Sequence, residues 1–295
     1  MTESARRDAT RGGTPPFAVL MPLWRGDEPD RVELALESAT LDQQLRPDLL
    51  ILSVDGPLPS ALEAVAGRVG AGEYGPARVL RHEAHRGVAA ALQDGLEASP
   101  YELVARADAD DICHPERFAR QIPQMQSGPG LDLLGSAMRE FNDKVPPGSG
   151  PLRTRPLRHD EIVAYMPHHT PFHHPTVVLR RSVVLAVGGY RELPLLEDYW
   201  LWERMMLGGA RMANLPDVLV DYRVDGDLFA RRGGWRRFTS DVALQRWMLR
   251  DGVVGPRLFA RNLAVRAVYR FAPTWARRLA YRRVVEQRPA QAPAA

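Results

Sequence analysis

The sequence predicts an α/β protein with an open, doubly wound and mostly parallel sheet that carries helices on both faces. The first observation is a series of short strand-like runs, FAVLMPLW (17–24), DLLILSVDG (48–56), ARVLRH (77–82) and YELVARAD (101–108). The first two are apolar and bounded by Pro or Gly, the pattern of strands buried on both faces. The second observation is that a single helical segment separates each run from the next, which implies right-handed crossovers.

The segments between these runs have the spacing of helices. In PDRVELALESATLDQQ the apolar residues recur near helical spacing, and Asp30 is available as an N-cap. Those apolar residues are Val32, Leu34, Ala35, Leu36 and Ala39. Further helices are predicted near 59–68 and over 87–99. This first part of the chain is therefore expected to form consecutive β-α-β units.

The pattern changes after a helix that is predicted to start near Pro115. LDLLGSAMREFND and DVLVDYRV predict strands, HDEIVAYM predicts a short helix, and PTVVLRRSVVLAVGG predicts a strand that runs into a helix ended by glycine. LEDYWLWERMMLGG predicts a helix with Leu201 and Met205 on one face and Gly208 as its stop. From Trp235 onward the chain is predicted to be helical and rich in arginine.

Composition indicates a globular chain rather than a disordered one, since 45% of the 295 residues are hydrophobic and 25% are charged. The single cysteine, Cys113, excludes an intramolecular disulfide and suits a reducing compartment. Residues 1–16 contain arginines but no apolar core, so we interpret them as a disordered leader rather than a signal peptide. No run of 18 apolar residues occurs. We therefore expect a cytoplasmic protein that is soluble or peripheral to the membrane.

Three polar segments follow predicted strands at their carboxyl ends: PLWRGD, VDGP and DADD. Ligands of open α/β sheets bind in the crevice outside these ends, so the three segments are expected to converge. In DADD, Asp108, Asp110 and Asp111 raise one another's pKa unless a cation or hydrogen-bond donors compensate them. Asp108 and Asp110 would point to the same side if the strand continued to residue 110. Such oxygen ligands suit Mg²⁺ or Mn²⁺, whereas the alternative is an acidic turn that caps a helix.

A series of motifs in order makes the chain similar to a known family. They are VLMPLWRGDEPDRVELALESATLDQ, LILSVDGP, HRGVAAALQDGLEAS, ELVARADADDICHPERFARQ, HHPTVVLRRSVVLAVGGYRE, LLEDYWLWERMMLGGA and RRGG. Over about residues 17–250 the chain resembles a family 2 glycosyltransferase with the GT-A fold, a Rossmann-like sheet. The resemblance is strongest to non-processive transferases of bacterial exopolysaccharide, capsule and O-antigen assembly.

The resemblance implies which residues bind the donor nucleotide. Pro22, Trp24 and Asp55 would lie near the base and ribose, although Val54 stands where the family usually has a second acid. Asp55 also suits a turn with Gly56 and Pro57. Arg86 and Arg106 would face the crevice or pair with the aspartates.

The resemblance also implies a metal site and a catalytic pair. Asp110 would be a direct ligand of Mg²⁺ or Mn²⁺, and Asp108 a ribose or metal partner. Asp198 would be the base that deprotonates the acceptor hydroxyl in an inverting transfer, with Glu197 orienting it. The alternative for these two acids is favourable charge at a helix N-terminus.

His174 and Trp200 are expected on the acceptor side. The spacing of His168, His169, His173 and His174 does not suit a structural zinc site. Arg231 and Arg232 would close on the donor diphosphate or on a lipid-linked pyrophosphate, or else lie in a solvated loop.

The C-terminal region is strongly basic, with nine arginines and one acidic residue, Glu286, between Arg257 and Arg288. Its interleaved apolar and basic residues suit an anionic membrane surface or a helix packed on the domain. A third possibility for this region, nucleic-acid binding, is not supported by any recognition motif in the sequence. The predicted organisation is a catalytic domain over 17–235, with a nucleotide half (17–111) and an acceptor half (112–235), then a helical basic region (236–287) and a disordered tail (288–295).

The predicted activity is transfer of a sugar, expected from a UDP-sugar, to a saccharide or polyprenyl-diphosphate-linked acceptor in surface polysaccharide synthesis. Two alternatives remain at this point. The first is nucleotidyl transfer, which normally needs a Gly-rich phosphate loop after the first strand that PLWRGDEPD hardly offers. The second is a non-catalytic basic protein associated with the membrane. For the transferase we expect a cytoplasmic location, peripheral on the cytoplasmic face of the inner membrane.

Overall fold

The computed structural model describes residues 13–126, 130–224, 234–273 and 275–277. Most of the predicted leader, Arg231 and Arg232, and the predicted tail at 288–295 lie outside the described residues.

Nine strands and nine helices form the described part of the chain. The strands are β1 (Phe17–Leu23), β2 (Leu49–Val54), β3 (Ala77–Arg81), β4 (Leu103–Arg106), β5 (Ile112–Cys113), β6 (Leu133–Phe141), β7 (Leu152–Arg153), β8 (Val178–Arg180) and β9 (Met212–Arg223). The helices are α1 (Pro29–Ala39), α2 (Ser60–Gly70), α3 (Val88–Ala98), α4 (Arg117–Gln126), α5 (His159–Tyr165), α6 (Arg181–Ala186), α7 (Glu197–Leu207), α8 (Trp235–Arg250) and α9 (Pro256–Phe271). A 3₁₀ turn spans His174–Thr176.

All nine strands belong to one sheet with the order β3-β2-β1-β4-β8-β6-β9-β5, and β7 pairs with β6. The first four strands are parallel, as the alternating pattern predicts. Beyond β4 the sheet is mixed: β8 runs antiparallel to β4 and to β6, whereas β6 and β9 are parallel. The parallel part of the sheet thus ends with β4. The mixed part is formed by the later segments, where the sequence pattern changes.

Both faces of the sheet are covered, which explains why the first strands are apolar throughout. Phe17, Val19 and Met21 of β1 belong to a core with α1, α2 and α4. Ala18 and Leu20 point the other way, into a core with α3, α5, α7 and α8. Successive side chains of one strand are therefore buried in two different cores.

The strand that leads to the DADD segment ends earlier than its sequence suggests. β4 stops at Arg106, and the chain turns at residues 109–110 before β5 pairs with β9. Ala107 still donates a backbone hydrogen bond to Leu20 of β1. The condition that the strand persists to residue 110 is therefore not met, and the turn rather than the pleat orients the aspartates.

The two C-terminal helices pack on the sheet domain through polar contacts. Asp241 of α8 is fully buried and pairs with Arg270 at 2.7 Å and Arg266 at 3.2 Å, both on α9. Asn262 of α9 donates hydrogen bonds to the Pro167 carbonyl and to Gln245. Within the described ranges, no helix combines the length and apolar character needed to cross a bilayer.

Candidate active site

A cavity of about 680 Å³ lies at the carboxyl end of β4 and reaches to the C-terminal helices. Four carboxylates line it: Asp108, Asp110, Glu197 and Asp198. Six arginines also line it: Arg153, Arg155, Arg223, Arg237, Arg266 and Arg270. The two acidic motifs of the sequence, DADD and LEDYW, therefore meet at one cavity although they are about 90 residues apart.

The DADD segment holds one buried ion pair and one buried carboxylate. Arg106 is 4% exposed and its guanidinium pairs with Asp108. Asp111 points away from the cavity, is buried, and accepts a hydrogen bond from the Arg223 backbone amide at 2.8 Å. Burial raises the pKa of Asp111 well above its usual range, and the charges of Asp108 and Asp110 raise it further.

A fourth carboxylate, Asp27, joins this group from the loop after β1. Its Oδ2 accepts a hydrogen bond from the Trp24 backbone amide at 2.9 Å. Burial raises the pKa of Asp27 to about 7, and the charges of Asp110 and Asp108 add to the effect. Sequence reasoning selected the PLWRGD segment but not this residue. The feature of the sequence that could have identified Asp27 is its position just after an apolar strand.

The carboxylates of Asp108 and Asp110 are ligands of the kind that a hard divalent cation prefers. They supply only part of its coordination shell. Asp27, Asp108, Asp110 and Asp111 repel one another, and Arg106 is the cation that pairs directly with one of them. Among the described residues, no three His, Cys, Asp or Glu side chains form a metal site by themselves. Asp108 and Asp110 could hold such an ion together with oxygens from another molecule, as Mg²⁺ and Mn²⁺ commonly require.

Asp55 at the end of β2 holds the loop before α3. Its two carboxylate oxygens accept hydrogen bonds from the backbone amides of Arg86 at 2.7 Å and Gly87 at 2.9 Å. The His85 ring also lies 2.8 Å from Asp55 and 5.7 Å, between centroids, from the Trp24 ring. The loops that follow β1 and β2 are thus linked through His85, and neither Asp55 nor Trp24 is among the residues that line the cavity.

The other predicted donor residues occupy different positions. Trp24 is 44% exposed and Pro22 is partly buried within β1. The Arg86 side chain pairs with Asp94 at 2.6 Å rather than with the DADD aspartates. Neither Arg86 nor Arg106 lines the cavity wall.

Glu197 and Asp198 begin α7 and line the same cavity. Burial raises the pKa of Glu197 to about 7, and the neighbouring Asp198 charge contributes. Burial likewise raises the pKa of Asp198, while its Oδ1 accepts a hydrogen bond from the Tyr199 amide at 2.7 Å. A carboxylate with a raised pKa at this position is suited to exchange a proton near neutral pH.

The backbone before this pair is strained and is fixed by α8. Leu195 has a φ of 67°, the only such value among the non-glycine residues that the structure describes. Arg237 of α8 donates a hydrogen bond to the Leu195 carbonyl. Burial lowers the pKa of Arg237 to about 10, whereas the carboxylates of Asp241, Asp198 and Glu197 oppose this decrease. Sequence reasoning missed Arg237, because nothing local links it to α7.

His174 lines the cavity, whereas Trp200 does not. The Nε2 atom of His174 lies 2.9 Å from the Tyr190 hydroxyl, and burial together with the Arg106 charge holds the His174 pKa well below its usual range. The expectation for Trp200 is corrected: its ring stacks on Trp247 of α8 at 3.8 Å. Residues two apart point to different sides of a helix, so Asp198 and Trp200 cannot share a face.

A family model described as "Glycosyl transferase family 2" matches residues 19–188. The chain belongs to this family. It is therefore a glycosyltransferase, and neither nucleotidyl transfer nor a non-catalytic scaffold describes its activity. The match includes DADD but ends before Glu197, Asp198 and the C-terminal helices.

Two relatives align over most of their length. The amylovoran biosynthesis glycosyltransferase AmsE of Erwinia amylovora is 39% identical over 233 residues, which are 79% of this chain and 85% of AmsE. A UDP-Gal:alpha-D-GlcNAc-diphosphoundecaprenol beta-1,3-galactosyltransferase of Escherichia coli is 31% identical over 274 residues, 93% of this chain and 98% of the relative.

Two solved structures share the fold, which is GT-A. The mannosyltransferase PcManGT from Pyrobaculum calidifontis, in complex with GDP-Man and Mn²⁺, superposes with a TM-score of 0.60 at 19% identity, over 94% of this chain and 77% of that one. S. aureus TarS 1-349 with UDP-GlcNAc superposes with a TM-score of 0.61 at 17% identity, over 87% of this chain and 73% of that one.

Proposed function

We propose that this glycosyltransferase moves a sugar, with inversion, from a UDP-sugar to a lipid-linked diphosphate saccharide during bacterial surface polysaccharide synthesis. The observation that carries the proposal is the single cavity that DADD and the Glu197–Asp198 pair share. The names of two relatives support it, because one acts in amylovoran biosynthesis and the other on a diphosphoundecaprenol acceptor.

The donor would bind with its diphosphate at DADD and its base near Trp24, Pro22 and Asp55. A divalent ion held by Asp108 and Asp110 would neutralise charge on the leaving diphosphate. Arg106 supports this arrangement because its ion pair fixes the Asp108 carboxylate. The Mn²⁺ in the PcManGT complex also supports a metal-dependent reaction.

Asp198 would take the proton of the acceptor hydroxyl as that oxygen attacks the anomeric carbon. Asp198 lines the same cavity as Asp108 and Asp110, which supports a role for it at the reacting sugar. The raised pKa of Asp198 makes it a stronger base than an exposed aspartate. His174 would remain neutral beside the reacting sugars because its pKa is low, and Glu197 would orient Asp198 or the acceptor.

The acceptor would enter along the arginine side of the cavity. Arg266, Arg270 and Arg237 come from the C-terminal helices and line that wall. Guanidinium groups suit a diphosphate because their planar donors match its oxygens. The protein would then act at the cytoplasmic face of the membrane that holds the acceptor.

The test is transfer from UDP-Gal, UDP-GlcNAc and GDP-Man to an undecaprenol-diphosphate GlcNAc acceptor, each with and without Mn²⁺. We expect transfer from a UDP-sugar only with the metal, and a product whose new bond is β from an α-linked donor, as NMR would show. Transfer without metal, or a product that retains the α configuration, would refute the corresponding part of the proposal.

A further inference from the structure

The buried residues of the helix α9 are polar, although Leu258 and Phe259 in its first turn pack partly buried against the core. Asn262, Arg266 and Arg270, four residues apart, face the domain, where they bond to Pro167, Gln245 and Asp241. In a helix that only packs on a soluble domain, the apolar stripe faces the core. The reversal leaves the apolar stripe of α9 on the surface.

This surface, which we term the apolar patch, consists of side chains that are more than half exposed. They are Trp235 (67%), Val265 (59%), Val268 (75%), Phe271 (54%) and Trp275 (70%). Phe238 supports the patch from below, with its ring 5.4 Å from Phe271 and 5.9 Å from Trp235. A contiguous exposed apolar surface of this kind indicates an interaction site.

Exposed arginines flank the apolar patch. Arg257 and Arg261 continue the same stripe toward the start of α9, and Arg236 follows Trp235 on α8. Tryptophan beside arginine is the composition of proteins that lie at the boundary between lipid headgroups and acyl chains. The arginines complement an anionic headgroup layer, whereas a purely apolar partner would leave them without a counter-charge.

The position of the apolar patch relative to the cavity also points to a lipid surface as its partner. On its other side, α9 lines the cavity with Arg266, Tyr269 and Arg270. A single helix thus separates the exposed aromatic residues from the wall that we assign to the acceptor diphosphate. A lipid-linked acceptor needs this arrangement, because its diphosphate remains close to the headgroup layer while its sugar enters the cavity.

We propose that the apolar patch docks the enzyme on an anionic phospholipid bilayer, with α9 lying along its surface. The link to acceptor entry rests on the proposed function, whereas the docking itself does not. The depth of contact is that of a peripheral protein, with Trp275 and Phe271 inserted and Arg257 and Arg261 against the headgroups. Each arginine at the headgroups strengthens partitioning about fivefold at low salt.

The test is flotation of the full chain with vesicles of phosphatidylglycerol and phosphatidylethanolamine, and with vesicles of phosphatidylcholine alone. We expect binding to the anionic vesicles that weakens as salt is raised. The double variant Phe271→Ser/Trp275→Ser should reduce binding at least about tenfold. Arg257→Gln/Arg261→Gln should reduce it for the anionic vesicles only.

The matched control is Leu34→Ser, which changes an apolar side chain that is 45% exposed on α1, on the opposite face of the sheet. It should bind vesicles like the wild type. Unchanged thermal midpoints and unchanged binding of UDP with Mn²⁺ would show that the variants fold. Absence of wild-type binding to anionic vesicles, or equal loss in Leu34→Ser, overturns the proposal.

Two further readouts separate this proposal from the proposed function. The Phe271→Ser/Trp275→Ser variant should transfer sugar normally to a short-chain, water-soluble diphosphate acceptor, but poorly to the acceptor in vesicles. Vesicle binding without any transfer would leave docking standing and refute the proposed function. A dimer in light scattering that the variant converts to a monomer, without vesicle binding, would show that a second copy covers the patch and overturn the proposal.

Discussion

The two acidic groups of the cavity differ in how their charge is compensated. At the end of β4, Asp108 pairs with the buried Arg106 and Asp111 accepts a backbone hydrogen bond. At the start of α7, Glu197 and Asp198 have raised pKa values, and Arg237 and Arg106 influence them only as nearby charges. The first group thus contains a direct ion pair at Asp108, although burial raises the pKa of Asp111 and of Asp27 as well. The second is arranged to gain and lose a proton.

Asp198→Asn should have the largest effect, because an amide cannot accept the acceptor proton. We expect the transfer rate to fall by about 10²- to 10⁴-fold, while binding of UDP with Mn²⁺ stays near wild type. Steady-state transfer and calorimetric titration of UDP would measure the two quantities. Loss of UDP binding in this variant would contradict the division of roles between the two groups.

Asp110→Ala tests the other side of the comparison. In the wild type, UDP with Mn²⁺ at about 100 times its dissociation constant should stabilise the fold by roughly 2.7 kcal/mol. The variant should lose this stabilisation, which thermal unfolding would detect. Asp30→Asn, at an exposed position in the first turn of α1, is the control and should keep it. Equal stabilisation in all three proteins would show that Asp110 is not part of the nucleotide site.

Glu203 of α7 shows what burial alone does to a carboxylate. It is fully buried within the core, and burial raises its pKa to about 8. Because its folded pKa exceeds its unfolded pKa, stability should be fully present below about pH 4 and fall as the pH rises toward 8. Glu203→Gln should remove this slope and gain about 2 kcal/mol at pH 8, measured by urea unfolding. If the pH dependence of stability persists in the variant, a group other than Glu203 causes it.

Arg237→Gln should have the smallest effect of these variants. It should act on the Glu197–Asp198 pair and leave the DADD aspartates unchanged. The catalytic base must be ionised, so the transfer rate should decline as the pH falls through the pKa of the pair, which is about 7 for Glu197. Removing the nearby Arg237 cation should shift this limb to higher pH, because that cation lowers the pKa of both carboxyls. The pH dependence of kcat measures it, and UDP binding at DADD should be unaffected.

Much of the fold could be predicted because its signals are local. The parallel strands β1 to β4 are short apolar runs that alternate with helices, and the DADD segment follows the fourth run directly. Glu197 and Asp198 were selected from their motif, and they line the same cavity as Asp108 and Asp110.

The residues that were missed or misplaced depend on distant parts of the chain. Arg237 donates to the Leu195 carbonyl from α8, a helix that Asp241 joins to α9. Trp200 resembled a sugar platform in the sequence, but its contact with Trp247 of α8 is set by tertiary packing. Asp27 required knowledge of the loop conformation that directs it toward Asp108 and Asp110. Periodicity carries no information on any of these contacts.

The buried Asp241 cluster makes the order of synthesis matter. One wall of the cavity comes from Arg266 and Arg270, which the ribosome adds long after the nucleotide half is complete. Until α9 is made, Asp241 lacks its two guanidinium partners, whereas Leu244 and Met248 already allow α8 to pack on the core. A nascent or clipped chain that ends near residue 255 is therefore expected to hold nucleotide yet remain idle.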